Sequence, residues 1–189
     1  MYRSLLLLRL LAPLVGCAVA AAAASFSGRV VRVLDGDTLE VLEGTTPRRV
    51  RLHGVDCPER NQPYGSRARQ FTAELAFGRT VTVVIRDRDR YGRLVGEVLL
   101  PDGRNLNREL VAAGYAWWYR RYSSDLRLAV LEWMARWRKR GLWQDPHPVP
   151  PWEWRRRPRS LQPASPVLQL LLRGPTSLLF ARLLRSSPD

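Results

Sequence analysis

The chain has 189 residues, 46% of them hydrophobic, which suffices for one domain with a real core plus terminal extensions. Its 31 Lys and Arg residues outnumber 17 Asp and Glu, giving a net charge of +14, and Lys139 is the only lysine. A coding bias explains part of the arginine excess but not the net charge, which favours polyanions or acidic membrane surfaces as partners. Cysteine occurs only at Cys17, in a predicted targeting segment, and at Cys57, which excludes a disulfide inside the mature domain.

Residues 1–24 are predicted to be that targeting segment. Arg3 and Arg9 supply positive charge, and an apolar run ends in small residues before Ser25, as in a cleaved signal peptide. The apolar run is short for a membrane-spanning helix. A second interpretation is that Leu14-Val15-Gly16-Cys17 resembles a bacterial lipobox, so that a lipidated Cys17 tethers the protein to a membrane. An uncleaved anchor helix is a third. We therefore expect an extracytoplasmic protein, either secreted or periplasmic, or a membrane-anchored lipoprotein.

Residues 25–145 are predicted to form one domain of five strands and three helices. Alternating and β-branched residues indicate the strands, and glycine, proline and aspartate mark the turns between them. The strands are predicted at Ser27–Leu34, Thr38–Leu42, Arg48–Leu52, Thr80–Ile85 and Leu94–Leu100, and the helices at Gly65–Ala76, Asn105–Ala113 and Ser124–Arg140. Residues 55–63 are predicted to be a loop. Five short strands with interposed helices fit an α+β, mainly β fold, a five-stranded closed barrel of the OB type.

Residues 146–189 are predicted to be a Pro/Arg-rich extension. Pro148, Pro150 and Pro151 precede an aromatic and arginine-rich stretch, residues 152–157, which indicates a rigid strap followed by a basic tail. Apolar clusters alternate with arginines after residue 163, so a membrane-surface amphipathic helix is one interpretation. A partly disordered extension is the favoured one.

Three acidic residues are candidates for site chemistry. Asp37 and Asp56 each lie at a strand end beside a turn, so both can meet at the rim of a barrel, where carboxylate oxygens suit Ca²⁺. Glu59 follows Pro58, whose fixed φ helps to direct it, and it can act as a general base. Taken singly, each residue is explained as well by ordinary turn or loop chemistry.

Arg51 and Arg93 are candidates for binding a phosphate. Arg51 alternates away from the apolar face of its strand, and Arg93 begins a strand just after Tyr91-Gly92. Two guanidinium groups can bind a phosphate and stabilise the charge that builds up on its oxygens during cleavage. In so arginine-rich a chain, a surface charge is the simpler explanation for either one alone.

The ordered set resembles the staphylococcal nuclease (thermonuclease) family. The resemblance covers about residues 27–143 and rests on Val33-Leu34-Asp35-Gly36-Asp37-Thr38, Val50-Arg51-Leu52, Val55-Asp56-Cys57-Pro58-Glu59 and Asp89-Arg90-Tyr91-Gly92-Arg93, with further matches at residues 101–103, 107–111, 114 and 141–143. It implies an OB-type barrel and a calcium-dependent phosphodiesterase that cuts DNA and RNA with little sequence preference. It also implies products with 3′-phosphate ends.

The same resemblance implies roles for individual residues. Asp37, Asp56 and the backbone carbonyl of Cys57 would ligate Ca²⁺, with Asp35 in the outer shell. Glu59 would be the general base that activates the attacking water.

Arg51 and Arg93 would bind the scissile phosphate and stabilise the five-coordinate transition state. Family members often have threonine in place of Cys57, whose thiol would make the site sensitive to soft metal ions. The loop of residues 60–64 is also shorter than in the best-known member, which bears on how the base is held and how substrate enters.

Aromatic residues that interleave with arginines indicate contacts to single strands, because stacking contributes about 1–3 kcal/mol per base. Arg90, Tyr91 and Tyr122 are the predicted substrate contacts, while Trp133 and Trp137 are predicted to pack a helix onto the barrel. The expected substrates are single-stranded DNA, RNA and frayed duplex, and the expected state is a monomer.

The alternative function is a non-catalytic OB-fold module that binds nucleic acid. A membrane-associated structural lipoprotein is a third possibility. It does not explain the presence together of the charged residues Arg51, Arg93, Asp37, Asp56 and Glu59.

Overall fold

The computed structural model describes residues 24–158. The strands are β1 Ser25–Asp35, β2 Thr38–Glu43, β3 Thr46–Leu52, β4 Val55–Asp56, β5 Thr80–Arg88, β6 Leu94–Leu99 and β7 Trp117–Trp118. The α-helices are α1 Gly65–Ala76, α2 Leu106–Ala112, α3 Leu126–Trp137 and α4 Pro151–Trp154, and a 3₁₀ turn spans Gly141–Gln144. The predicted targeting segment up to residue 23, with Cys17, and the tail from residue 159 lie outside the described residues.

The five longer strands close into a barrel in the order β1-β2-β3-β6-β5. Neighbouring strands are antiparallel except β3 and β6, which run parallel with Val50 opposite Leu94. The interior is filled by aliphatic side chains that alternate along the strands, among them Val30, Leu39 and Val83, each fully buried. The predicted five-stranded barrel of the OB type, in a mainly β fold, is confirmed.

Recognisable signals mark the ends of three helices. The bounds of α1 match the prediction, and Gly78, with φ of 75°, follows its C-terminus. Asn105 caps α2, and Asp125 caps α3 by accepting the backbone N–H of Arg127. No helix among residues 24–158 is long and apolar enough to cross a membrane.

Two parts of the prediction were wrong in detail. The predicted loop of residues 55–63 begins with β4, which pairs with β7 through Val55 and Trp118; a strand of two residues is too short to show an alternation in sequence. Trp133 and Trp137 do not pack on the barrel, because they are 66% and 72% exposed. The face of α3 that turns inward instead carries Leu128, Glu132 and Ala135.

The short α4 packs against the domain. Trp154 is 3% exposed, and Trp152 stacks on Tyr119 with a centroid separation of 5.2 Å. Trp152 also meets the edge of Trp117, which with Trp143 forms a second, smaller core. The first residues of the predicted extension therefore lie on the barrel domain.

Candidate active site

The site lies at one rim of the barrel, where the β1–β2 turn meets the end of β4. Asp37 belongs to that turn and Asp56 is the last residue of β4. Gly36 permits this approach, because a Cβ there would lie 2.9 Å from the side chains of Cys57 and Ala68. A side chain at position 36 would therefore force Cys57, which directly follows β4, and Ala68 of α1 to shift.

Arg51 joins the two aspartates. Its Nη1 forms a close ion pair with Asp37, and its Nη2 donates to Asp56 Oδ1 at 2.7 Å. Asp37 is 7% and Asp56 1% exposed. The register of β2 and β3 explains the meeting, because Thr38 lies opposite Arg51 and brings the adjacent Asp37 alongside.

Burial and the repulsion between the two aspartates disfavour the charged carboxylate of Asp56, whereas Arg51 favours it. Burial raises the pKa of Asp56, Arg51 opposes this effect, and the nearby Asp37 adds to it. Burial acts to lower the pKa of Arg51, but the two carboxylates outweigh it and raise that pKa, so Arg51 stays a cation. Arg51 alone thus neutralises the two aspartates only in part.

Glu59 is brought to the same cluster by a residue that the sequence analysis did not single out. Arg155 Nη1 donates to Glu59 Oε1 at 2.7 Å, and Arg155 Nη2 donates to Asp56 Oδ2 at 2.9 Å. Arg155 follows α4, some hundred positions along the chain from its partners. The only sequence signal for it was the aromatic stretch around Trp152 and Trp154, whose rings anchor the segment.

Two further predicted residues lie beside the cluster. Asp35 pairs with Arg60 at 3.4 Å, and burial raises its pKa while Arg60 lowers and Asp37 further raises it. Cys57 is 3% exposed, its backbone N–H donates to Asp37 Oδ2 at 2.7 Å, and burial raises the pKa of its thiol. The Cys57 thiol is therefore a buried, protonated group that packs under the turn.

Arg93 occupies a different setting. Its Nε donates to Asp89 Oδ2 at 2.6 Å, four positions earlier in the chain. Arg93 is the residue before β6, whose first residue, Leu94, lies opposite Val50 of β3. Arg93 therefore lies at the end of the strand beside the one that carries Arg51, but only Arg51 pairs with the carboxylates of the site.

The predicted substrate contacts are at the surface. Tyr91 is 68% exposed, and the guanidinium of Arg90 lies 4.8 Å from its ring centroid. Tyr91 and Arg93 line an open groove that Arg49 also borders. Tyr122 is 60% exposed and lines a separate groove. Neither groove is lined by Asp37, Asp56 or Glu59.

Comparisons with known proteins identify the family of the chain and several of its relatives. The family model for staphylococcal nuclease homologues matches residues 49–145. An uncharacterized endonuclease of Escherichia coli O157:H7 is 52% identical over 134 residues, covering 71% of this chain and 88% of the relative. A micrococcal nuclease of Shigella flexneri is 45% identical over 143 residues, covering 70% of this chain and 82% of the relative. Protein ParB of Escherichia coli is 45% identical over 165 residues, covering 82% and 93%.

Proposed function

The chain belongs to the family of staphylococcal nuclease homologues, and from this premise we propose that it is a calcium-dependent phosphodiesterase that cleaves DNA and RNA with little sequence preference. Family membership and the relatives named as nucleases support hydrolysis of phosphodiester bonds. The dependence on Ca²⁺ and the 3′-phosphate ends of the products are the finer parts of the proposal. The observation that carries it is the meeting of Asp37, Asp56 and Glu59 around two guanidinium groups.

The donor set fits a hard divalent cation, although residues 24–158 contain no group of three or more His, Cys, Asp or Glu side chains arranged to hold a metal ion. Buried carboxylates supply the oxygen ligands that Ca²⁺ prefers. Burial, and after it the charge of Asp37, raises the pKa of Asp56, and a bound cation would favour the charged form of that carboxyl. Asp37 and Asp56, with the backbone carbonyl of Cys57 and water, would hold the ion. Bound there, Ca²⁺ would supply charge stabilisation to the phosphate and to the attacking water.

The protein's own groups would perform the remaining work. Glu59 would accept a proton from the attacking water at its carboxylate, which requires hydrogen-bond reach to that water. Arg51 and Arg93 would bind non-bridging oxygens of the phosphate and interact more strongly as charge accumulates on them. The exposed Tyr91 would stack against a base of a single strand.

Glu59→Gln tests the role of the base. We expect its kcat on denatured DNA with Ca²⁺ to fall by about 10²–10⁴, because a general base contributes that much. Binding of DNA, measured by fluorescence anisotropy, should persist. Glu153→Gln is the matched control, because Glu153 is exposed and lies on α4, outside the carboxylate cluster. Wild-type turnover in Glu59→Gln would refute the assigned role.

The metal and the product ends are tested on the wild-type protein. Release of acid-soluble nucleotides should require Ca²⁺ and stop with EDTA. On an oligonucleotide with a fluorescein at its 5′ end, the labelled product should lose mobility after phosphatase treatment, because a 3′-phosphate has been removed. Products that phosphatase leaves unchanged would show 3′-hydroxyl ends instead, and activity in EDTA would refute the metal requirement. DNA binding without cleavage under all conditions would favour the non-catalytic module.

A further inference from the structure

Residues 148–158, here called the C-terminal strap, are fixed on the barrel by contacts that do not involve Arg155. Trp152 stacks on Tyr119 with an interplanar angle of 2°, and Trp154 is 3% exposed. The Trp154 Nε1 donates to Asn61 Oδ1 at 3.3 Å. The backbone that carries Arg155 is therefore held by the aromatic contacts of Trp152 and Trp154.

The strap contacts the loop that presents Glu59. Residues 57–64 form neither helix nor strand, so the loop depends on side chains for its shape. Gln62, 7% exposed, accepts the Glu59 N–H at 3.1 Å, and its own Nε2 donates to the carbonyl of Val149 at 2.6 Å. One buried side chain thus links the backbone of Glu59 to the strap.

Arg155 completes this link at the carboxylate itself. Its two Nη atoms bind Glu59 Oε1 at 2.7 Å and Asp56 Oδ2 at 2.9 Å. A planar guanidinium fork fixes the distance and angle between two carboxylates in a way that a lysine ammonium does not. The Glu59 carboxylate is therefore tied to Asp56, a residue of the barrel rim that is 1% exposed.

We infer that the C-terminal strap carries one residue of the active site, Arg155, and that Arg155 is a positioning residue, which holds the Glu59 carboxylate in place against Asp56. The inference rests on the proposed function, since it concerns the same base. The strap thus supplies contacts from a distant part of the chain to a loop that forms neither helix nor strand. Arg155 acts through Glu59, and a phosphate bound by Arg51 and Arg93 does not need it.

Kinetics of Arg155→Ala in the full-length chain test this inference. We expect kcat to fall by about 10–100-fold, because displacing a reacting group by about 1 Å costs up to 10², while KM changes by less than about twofold, as expected for an interaction that acts only on the chemical step. Arg155→Lys should recover only part of kcat, because it lacks the fork. Arg156→Ala, the same charge change on an exposed neighbour in the strap, should behave as wild type.

A double variant sharpens the assignment. In the Glu59→Gln background, Arg155→Ala should change kcat by less than about twofold, because residues that act as a unit are strongly non-additive. An equal loss in both backgrounds would show that Arg155 acts on the substrate directly and overturn the inference. A rise in KM with unchanged kcat would do the same. A rise in kcat would also overturn it, because Arg155 would then block the site.

A readout without catalysis separates this inference from the proposed function. Amide exchange of Glu59 and Gln62 should lose protection in Arg155→Ala but not in Arg156→Ala, since both N–H groups are bonded within the loop. If the wild type does not cleave nucleic acid, the proposed function fails, and amide exchange still decides whether Arg155 orders the loop. If the wild type cleaves and Arg155→Ala alters neither kcat nor amide exchange, the inference fails alone.

Discussion

Arg51 and Arg93 have equivalent roles in the sequence analysis but opposite surroundings in the structure. The Arg51 side chain is 16% exposed and pairs with aspartates from two other elements, the β1–β2 turn and β4. The Arg93 side chain is 27% exposed and pairs with Asp89 from its own turn. One arginine is held by the tertiary fold and the other by a local motif.

The difference separates two tasks that a single guanidinium can perform. Arg51 neutralises two buried carboxylates, so its removal should affect folding as well as chemistry. Arg93 pairs with Asp89, and its guanidinium lies 5.6 Å from the ring centroid of the exposed Tyr91 in the same turn. Its removal should affect chemistry almost alone. If Arg51→Ala and Arg93→Ala lose similar amounts of kcat but differ in their free energy of unfolding, Arg51 has both tasks and Arg93 only the chemical one.

The largest expected effect is a loss of kcat that the two arginine variants share. Arg51→Ala and Arg93→Ala should each lower kcat on single-stranded DNA by roughly 10³–10⁵, by analogy with arginines that stabilise a transferring phosphoryl group. Initial rates with Ca²⁺ at saturating DNA measure this loss. Arg88→Ala serves as the control, because Arg88 lies on the same β5–β6 hairpin and its Nη1 donates only to the carbonyl of Gly92. A loss below tenfold for Arg93→Ala would remove Arg93 from the reaction.

The second effect separates the two arginines. In EDTA, Arg51→Ala should lower the free energy of unfolding by about 3–5 kcal/mol, because it leaves buried carboxylates without their cation. The value should lie at the lower end, since Arg155 still pairs with Asp56. Arg93→Ala should cost about 0–1 kcal/mol, as for a partly exposed ion pair.

Urea unfolding monitored by tryptophan fluorescence measures both values. Added Ca²⁺ should restore part of the stability of Arg51→Ala, because a ligand that binds only the folded state stabilises it. Equal losses for the two variants would contradict the contrast between tertiary and local support.

The parts of the molecule that could be predicted from sequence are those governed by short-range patterns. The alternation of buried Val50 and Leu52 with Arg51 marks β3 as a barrel strand, and the bounds of α1 follow from its apolar face and Gly78. The convergence of Asp37 and Asp56 was anticipated from their positions at strand ends, and the structure joins them through Arg51.

The parts that could not be predicted depend on contacts between distant segments. Trp133 and Leu128 both lie on α3, and only the packing of the helix decides which faces the barrel; the aromatic residue is the exposed one. Arg155 is one of three consecutive arginines, and nothing in the local sequence distinguishes it from Arg156. Its role follows from the place where Trp152 and Trp154 anchor the strap.

The smallest expected effect concerns the local support of Arg93. Asp89 accepts the backbone N–H groups of Tyr91 and Arg93 at 2.9 and 3.0 Å, besides the Arg93 guanidinium. Burial acts to raise the pKa of Asp89, but the hydrogen bonds from Arg93 and Tyr91 outweigh it and hold the pKa below its ordinary value of 3.8. Asp89→Ala should therefore cost about 1 kcal/mol at neutral pH, the net worth of such hydrogen bonds.

The pH dependence of that cost follows from the sign of the pKa shift. A carboxyl whose pKa is lower in the folded than in the unfolded state contributes stability that is fully present above the unfolded value and disappears as the pH falls through the folded value. The difference in unfolding free energy between wild type and Asp89→Ala should thus be constant above about pH 5 and shrink steadily below about pH 4. Urea titrations at a series of acidic pH values measure it. A difference that stayed constant into strong acid would show that the turn is held by Asp89 through its shape and not through its charge, and Arg93 would then need another partner to orient it.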